Sequence, residues 1–568
     1  MDKRPLLAMA LMLLLLIIFQ IFFIPQRQPH EAQPAQPAGE QESREAGAAR
    51  VVGAAGADAE RDSLAGQMPG QMGLAGLELD QEQARRVVVE TPLYKAEFSS
   101  RGAVLTSFTL KRFLSATGSP VDLVPAGDRL PLGVTLLTAT GERVDLGGVG
   151  FDVSAESLAV PDGAEASLLF SLTTPAGLTV HKEIVFRGGG YTFGTKVWTG
   201  EAGVPAGGLR AIEFGWQSGL ATSEANRTDD LRNFAAVTLT DQALVKQDLG
   251  KVRKNEQGAV GGSITWSGLR SKYFLVSFVP AAGRAVVAKT FLGTPESIGM
   301  VLEADNPGDP LECMVYVGPL DYEGLKTTGY RLERAVDFGW KWLGPLSKLI
   351  YKFLVYCYKV VPNYGWVIIL LSALIKLLFQ PLTAKSMRSM REMQKVQPEL
   401  QALREKYKKE PQKLNSAMME LYKKRGINPV GGCLPLLLQM PVFFALFNVL
   451  SKTIELRQAP FMLWINDLSA PDKIAQLPFS IPFIGSVVSL LPILMGVAMY
   501  IQQKMTPTDP KQAMLTYLMP IVFTVMFFKF PSGLVLYWLV NNILTIIHQH
   551  WMNRADRLKQ EAAPVAAG

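Results

Sequence analysis

The run Trp366 to Gln380, WVIILLSALIKLLFQ, decides how this chain is read. It is apolar except at Ser372, Lys376 and Gln380, and the surrounding stretch is long enough to cross a bilayer. A charge at membrane depth costs about 2.5–3.5 kcal/mol on insertion scales, so it faces protein or water and usually has a task. No acidic residue in any neighbouring apolar stretch offers Lys376 a partner. A competing reading lets the lysine snorkel to the cytoplasmic headgroups, because Pro381 and a basic loop follow closely. Snorkelling leaves Ser372 and Gln380 unexplained. These stand at i−4 and i+4 from the lysine and share its helix face.

Working outward, five apolar spans follow Pro362: Tyr364 to Leu382, Val430 to Leu450, Phe483 to Gln503, Ala513 to Phe530 and Gly533 to His550. The loop after the first is strongly basic, from Lys385 and Arg388 through Lys423, Lys424 and Arg425. The next loop, Ser451 to Pro482, is balanced. The basic loop is therefore read as cytoplasmic, which places both termini inside. Within it, Met387, Met390, Met393, Val396, Leu400 and Leu403 step by three or four, as do Leu414, Met418 and Leu421 after Glu410 and Pro411. This predicts an antiparallel helical hairpin over 384–427 whose methionines either pack one arm on the other or present an adaptable surface to apolar clients. Polar residues recur in two other spans, Gln439 in one and Tyr537, Trp538 and Asn541 in the last. Polar groups in lipid must find partners or water, so these faces are expected to meet around Lys376 in a polar cavity.

The chain has 568 residues, 48% of them hydrophobic, and a net charge of +7. Its basic residues cluster beside apolar spans, where they serve topology before nucleic acid. Cys313, Cys357 and Cys433 are too few and too far apart for a disulfide framework or a metal site, and no nucleophile–base motif is found. No cofactor, metal or catalytic residue is expected. Residues 1–24 contain the run Leu6 to Ile24, which ends in Phe22, Phe23, Ile24 and Pro25 rather than small residues and reads as an uncleaved anchor, a sixth span. Residues 25–85, rich in Pro, Ala, Gln, Gly and Glu, read as a flexible linker. Over 86–325, short alternations such as Tyr191, Phe193, Thr195 and Val197, with GG, PDG and PAG turns between them, predict a large antiparallel β-sandwich. Residues 326–362 include Leu332 to Leu354, in which Val336, Trp340, Leu343 and Leu346 predict an amphipathic helix at the membrane interface, or else a buried linker helix. The five-span core fills 363–552, and a short cytoplasmic tail 553–568. The fold class is thus a polytopic α-helical membrane protein with a periplasmic all-β sandwich domain.

Three motifs add a resemblance. NPVGGCLPLLLQMP at Asn428 to Pro441, ELRQAPFMLWINDLS from Glu455 and FPSGLVLYWLVNNILTIIHQ from Phe530 resemble the YidC family of membrane-protein insertases, related to the Oxa and Alb proteins of organelles. The likeness is close over about Trp340 to Trp551 and looser in the β region, through Trp266, Lys272, Tyr273, Phe274, Val317, Gly318 and Pro319. It implies an inner-membrane insertase with a positively charged groove, open to the cytoplasm and lipid, whose polar position falls on Ser372 and whose aromatic positions fall on Tyr537 and Trp538. Lys376 stands where the family usually has arginine, so the charge is kept and the planar five-donor fork is lost. The resemblance also implies partners: nascent integral membrane proteins, the Sec translocon, the ribosome and membrane lipids. Client segments are expected to slide along the lipid-facing sides of the spans holding Phe443 and Phe527. Two other readings compete, a secondary transporter or channel with Lys376 as its ion site, and a glycan-binding or enzymatic β domain. No repeated halves support the first, and no catalytic motif supports the second.

Overall fold

The computed structural model describes residues 84–127, 130–174, 177–201, 208–254, 258–294, 296–426, 434–481, 484–505 and 513–561. The anchor at Leu6 to Ile24, nearly all of the linker, Cys433 and the Asn428–Cys433 part of the first motif lie outside these residues. The chain divides into two units at Gly318 and Pro319.

Period-two alternation builds the first unit. In the strand Leu178–Arg187 every second residue points inward, from Leu178 through Val180, Lys182 and Ile184 to Phe186. Phe193, Thr195 and Val197 are buried in Thr192–Glu201 as predicted, whereas Tyr191 lies just before the strand. Nine strands form the largest sheet, with Ile264–Arg270, Phe274–Pro280, Leu311–Pro319, Thr192–Glu201, Leu178–Arg187 and Glu165–Thr173 adjacent in that order. A six-stranded sheet centred on Ser297–Asp305 and Leu209–Trp216 joins it through the edge-on ring pair Phe214 and Phe278. A five-stranded sheet joins it through Phe98, which meets Phe170 and Phe186. The pairing is not antiparallel throughout, as the sandwich expectation had it, because Arg86–Glu90 runs parallel to Ser157–Ala159. Lys182 occupies an apolar slot at full burial, and its Nζ donates to the carbonyls of Ala103 at 2.5 Å and Leu132 at 2.6 Å. Both acceptors belong to residues with positive φ. A neutral amine has two N–H groups, so these two carbonyls satisfy it without a counter-ion.

The second unit is helical. After two short helices of the first unit, α1 (Arg227–Asn233) and α2 (Leu249–Arg253), come α3 (Tyr322–Thr328), α4 (Gly344–Tyr358), α5 (Tyr364–Lys395), α6 (Gln397–Lys406), α7 (Pro411–Lys424), α8 (Leu434–Lys452), α9 (Leu491–Met505), α10 (Ala513–Phe527) and α11 (Ser532–Glu561). Among the described residues only α5 is by itself long and apolar enough to cross a bilayer, over Tyr364–Ser389. It then continues unbroken, through Pro381, into the first arm of the hairpin. Val396 and Leu400 form the hairpin's core, with Met393, Met418, Leu421 and Tyr422 packed on them. Met393 and Met418 therefore serve helix packing, and Met419 is exposed.

Two expected boundaries are displaced. The amphipathic helix starts at Gly344, with Pro345 at its first turn, so Val336 and Trp340 lie outside it. Pro fits a first helical turn, where its missing N–H has no partner to lose. The third span, expected from Phe483, begins only at Leu491. Before it, Ala475–Ile481 and Gly485–Val488 pair as an antiparallel hairpin. Pro478 and Gly485, the latter at φ 101°, disfavour a helix at this point.

Candidate functional site

α5 carries Lys376, and α11 packs along it. The Nζ of Lys376 donates to Thr545 Oγ1 at 2.6 Å, and that hydroxyl donates onward to the Asn541 carbonyl at 2.6 Å within α11. Thr545 is buried. The amine is thus aimed at a neighbouring helix rather than along α5 towards the basic hairpin. Among the described residues it has no carboxylate partner. A hydrogen bond to a charged donor is worth about 1.5–3 kcal/mol, which recovers only part of the cost of the ammonium in apolar surroundings.

Beside the amine lies a hollow of about 20 Å³, lined by Ile375, Lys376, Phe379, Leu382, Thr383, Leu438, Gln439 and Asn541. Such a space admits about one water molecule. Three elements converge there: Lys376 from α5, Gln439 from α8 and Asn541 from α11. Gln439 also donates from Nε2 to Tyr537 Oη at 3.2 Å, a bond that crosses from α8 to α11 and holds the fully buried Tyr537. On the next turns of α11, Asn542 Nδ2 and His548 Nδ1 are buried with no hydrogen-bond partner among the described residues.

Of the residues singled out from sequence, Lys376, Gln439 and Asn541 meet at the hollow and Tyr537 supports it. Ser372, Gln380 and Trp538 do not line it. Ser372 is buried, and its Oγ donates to the Ile368 carbonyl of its own helix at 2.7 Å. Gln380 is exposed. Four residues advance an α-helix by about 40° beyond one turn, so a stripe of i, i+4 and i+8 spreads over about 80°, and its members run from buried Ser372 through half-buried Lys376 to exposed Gln380. Trp538 belongs to a ring cluster with Phe443 at 5.2 Å, Phe527 at 5.6 Å and Phe523 at 6.1 Å. Phe443 and Phe527 themselves are buried among the rings. The exposed apolar surface of the span that holds Phe527 is at Leu518 and Ile521 of α10, and α5 adds Leu374, Leu377 and Leu378. Sequence reading missed Thr545 and His548, although Asn541, Thr545 and His548 recur at helical spacing.

An apolar helical unit with a polar, cationic hollow between its helices, in a chain that also carries a β-sheet unit, defines a class of membrane protein. The family profile described as 60Kd inner membrane protein matches residues 356–561, and that of the YidC periplasmic domain matches residues 86–353. A membrane protein insertase YidC of Geobacter metallireducens is 41% identical over 488 residues, covering 83% of this chain and 86% of the relative. That of Pelobacter propionicus is 36% identical over 567 residues, 98% and 99% of the two chains. A crystal structure of an active YidC insertase aligns over 84% of this chain and 94% of its own, at 19% identity and a TM-score of 0.37, too distant to inform the geometry. The chain belongs to the YidC family of membrane-protein insertases, proteins of the inner membrane with a periplasmic β-rich domain.

Proposed function

We propose that this insertase admits the polar, often acidic, extracellular tail of a nascent membrane protein to the hollow at Lys376. The observation that carries the reading is a half-buried ammonium whose partner is a hydroxyl rather than a carboxylate. Attraction of a client carboxylate is stronger there than in water, because the surroundings have a low dielectric constant. Gln439 and Asn541 offer amide groups to the same space, and the buried polar atoms of Asn542 and His548 favour a wet or polar guest. The client's apolar segment passes along the exposed leucines of α5, and its burial in hydrocarbon supplies the driving force. No bond is broken and no nucleotide is used. Ser372 acts as framework in this scheme and Trp538 as part of the aromatic wall. The basic hairpin supports cytoplasmic termini and contact with the ribosome, and the family likeness supports work beside the Sec translocon.

The test is insertion into proteoliposomes of two clients that differ only in an acidic or a neutral tail. Lys376→Ala is expected to slow the acidic client and leave the neutral one near its original rate, and Lys376→Arg to keep both. Equal insertion of the acidic client by Lys376→Ala removes the electrostatic step.

A further inference from the structure

The hairpin of Ala475–Ile481 and Gly485–Val488 occupies sequence that looks like the start of a membrane span but is not helical. From Ile474 to Gln503 there is no charged residue and no histidine. Phe479 is 62% exposed and Ile474 46% exposed. The stem is firmly braced. Asp472, itself buried, accepts from the backbone N–H groups of Leu490 at 2.8 Å and Leu491 at 3.0 Å and from Trp464 Nε1 at 3.0 Å, and Ser489 Oγ donates to the Asp472 carbonyl at 2.6 Å. Asp472 thus caps α9 and ties the hairpin base to it, so the position of the helix in the membrane sets the position of the hairpin.

Length then argues for an occupant. The first cation of α9 is Lys504, and helix from Leu491 to Gln503 spans about 20 Å at 1.5 Å per residue. A hydrocarbon core is about 30 Å thick. With Lys504 at the basic cytoplasmic face, the start of α9 lies below the opposite headgroups, and the uncharged hairpin is carried into that leaflet. A two-stranded sheet keeps unpaired backbone groups along both edges, which exclude it from the hydrocarbon interior but not from the hydrated boundary beneath the headgroups.

We infer that this hairpin is a lipid-interface anchor, with Phe479 embedded at the headgroup–acyl boundary of the periplasmic leaflet. It completes the crossing that α9 alone leaves short and fixes the height of α9 beside α11.

Depth is measured on the full chain in vesicles of phosphatidylethanolamine and phosphatidylglycerol, after the native cysteines are replaced. A nitroxide is attached at Phe479→Cys and, separately, at Lys473→Cys. Power saturation is expected to show the label at 479 more accessible to oxygen than to an aqueous nickel chelate, with the reverse at 473. A label at 479 that behaves like the one at 473 overturns the inference. So does a label shielded from both relaxants, which means that protein, whether a second copy or another chain, covers the hairpin. Should the cysteine-free protein fail to fold, hydroxyl-radical footprinting of the unaltered chain gives the same decision. Phe479 is then expected to resist aqueous oxidation in vesicles, and rapid oxidation overturns the inference.

Discussion

Glu455 offers a quantitative handle on how α4 is held. It lies just after α8 and is half-buried within the helical unit, against Tyr351 of α4. Tyr351 of α4 donates its hydroxyl to Glu455 Oε1 at 2.5 Å, while Oε2 is buried with no partner among the described residues. Burial pushes the carboxyl from its ordinary 4.5 up to about 7, helped by the nearby carboxylates of Asp321 and Glu323 and opposed by the Tyr351 hydrogen bond. The folded state therefore binds the proton more tightly than the unfolded one. The resulting stability is present below pH 4.5 and is lost as pH rises through about 7. A tenfold change in proton affinity is worth about 1.4 kcal/mol, so most of a loss of roughly 3 kcal/mol falls between pH 5 and pH 8. If opening of α4 exposes Glu455, amide protection over Gly344–Tyr358 should fall on the order of fifty- to a hundredfold across that interval, after correction for intrinsic exchange. Hydrogen exchange with mass-spectrometric detection reads this directly. Glu455→Gln should flatten the profile, because an amide does not titrate there. A flat profile in the unaltered protein, or the same slope in Glu455→Gln, refutes the reasoning.

Three further outcomes follow from the packing. Thr545→Val removes the hydroxyl that Lys376 bonds but keeps the charge, so heat inactivation in detergent should come earlier, by about 1.5–3 kcal/mol of lost stability, while acidic clients still insert. Burial pulls the Lys182 amine down to about 7, so between there and 10.5 the unfolded chain holds the proton that the folded chain gives up. Thermal unfolding of the β unit, followed by circular dichroism, should therefore shift upward as pH rises from 7 to 9, and Lys182→Met should abolish that slope. Gly268→Ala sets a Cβ 2.1 Å from the Val276 carbonyl oxygen across a central strand pair, where backbone cannot retreat. A loss of at least about 1–3 kcal/mol, or failure to accumulate, is expected on expression and thermal unfolding.

Much of the architecture was legible because it rests on local periodicity. Alternation marked strands such as Thr192–Glu201, and steps of three and four marked the hairpin, from the end of α5 through α6 to α7. The lysine announced itself by chemistry alone. What stayed hidden depends on which elements meet. Nothing near Lys376 in sequence points to Thr545, 169 positions away, as its partner. The faces of Phe443 and Phe527 are set by the rings they find on other helices, not by their own helices' composition. The strand Gly485–Val488 lies within the span expected from Phe483, because an uncharged apolar run is the same signal whether it forms strand or helix. Ser372 shows a subtler limit, since a hydroxyl that looks available in a sequence is engaged by its own helix in the fold.

The continuity of α5 has a mechanical corollary. Lys376 and the first arm of the hairpin are one rod, reaching about 28 Å from the amine-bearing residue to Lys395. Pro381 removes a backbone hydrogen bond little more than one turn beyond the lysine, so the rod's weakest joint sits next to its charge. A body that leans on the hairpin from the cytoplasm would bend α5 first at that joint, so the arm can move while the turn bearing the amine keeps its place.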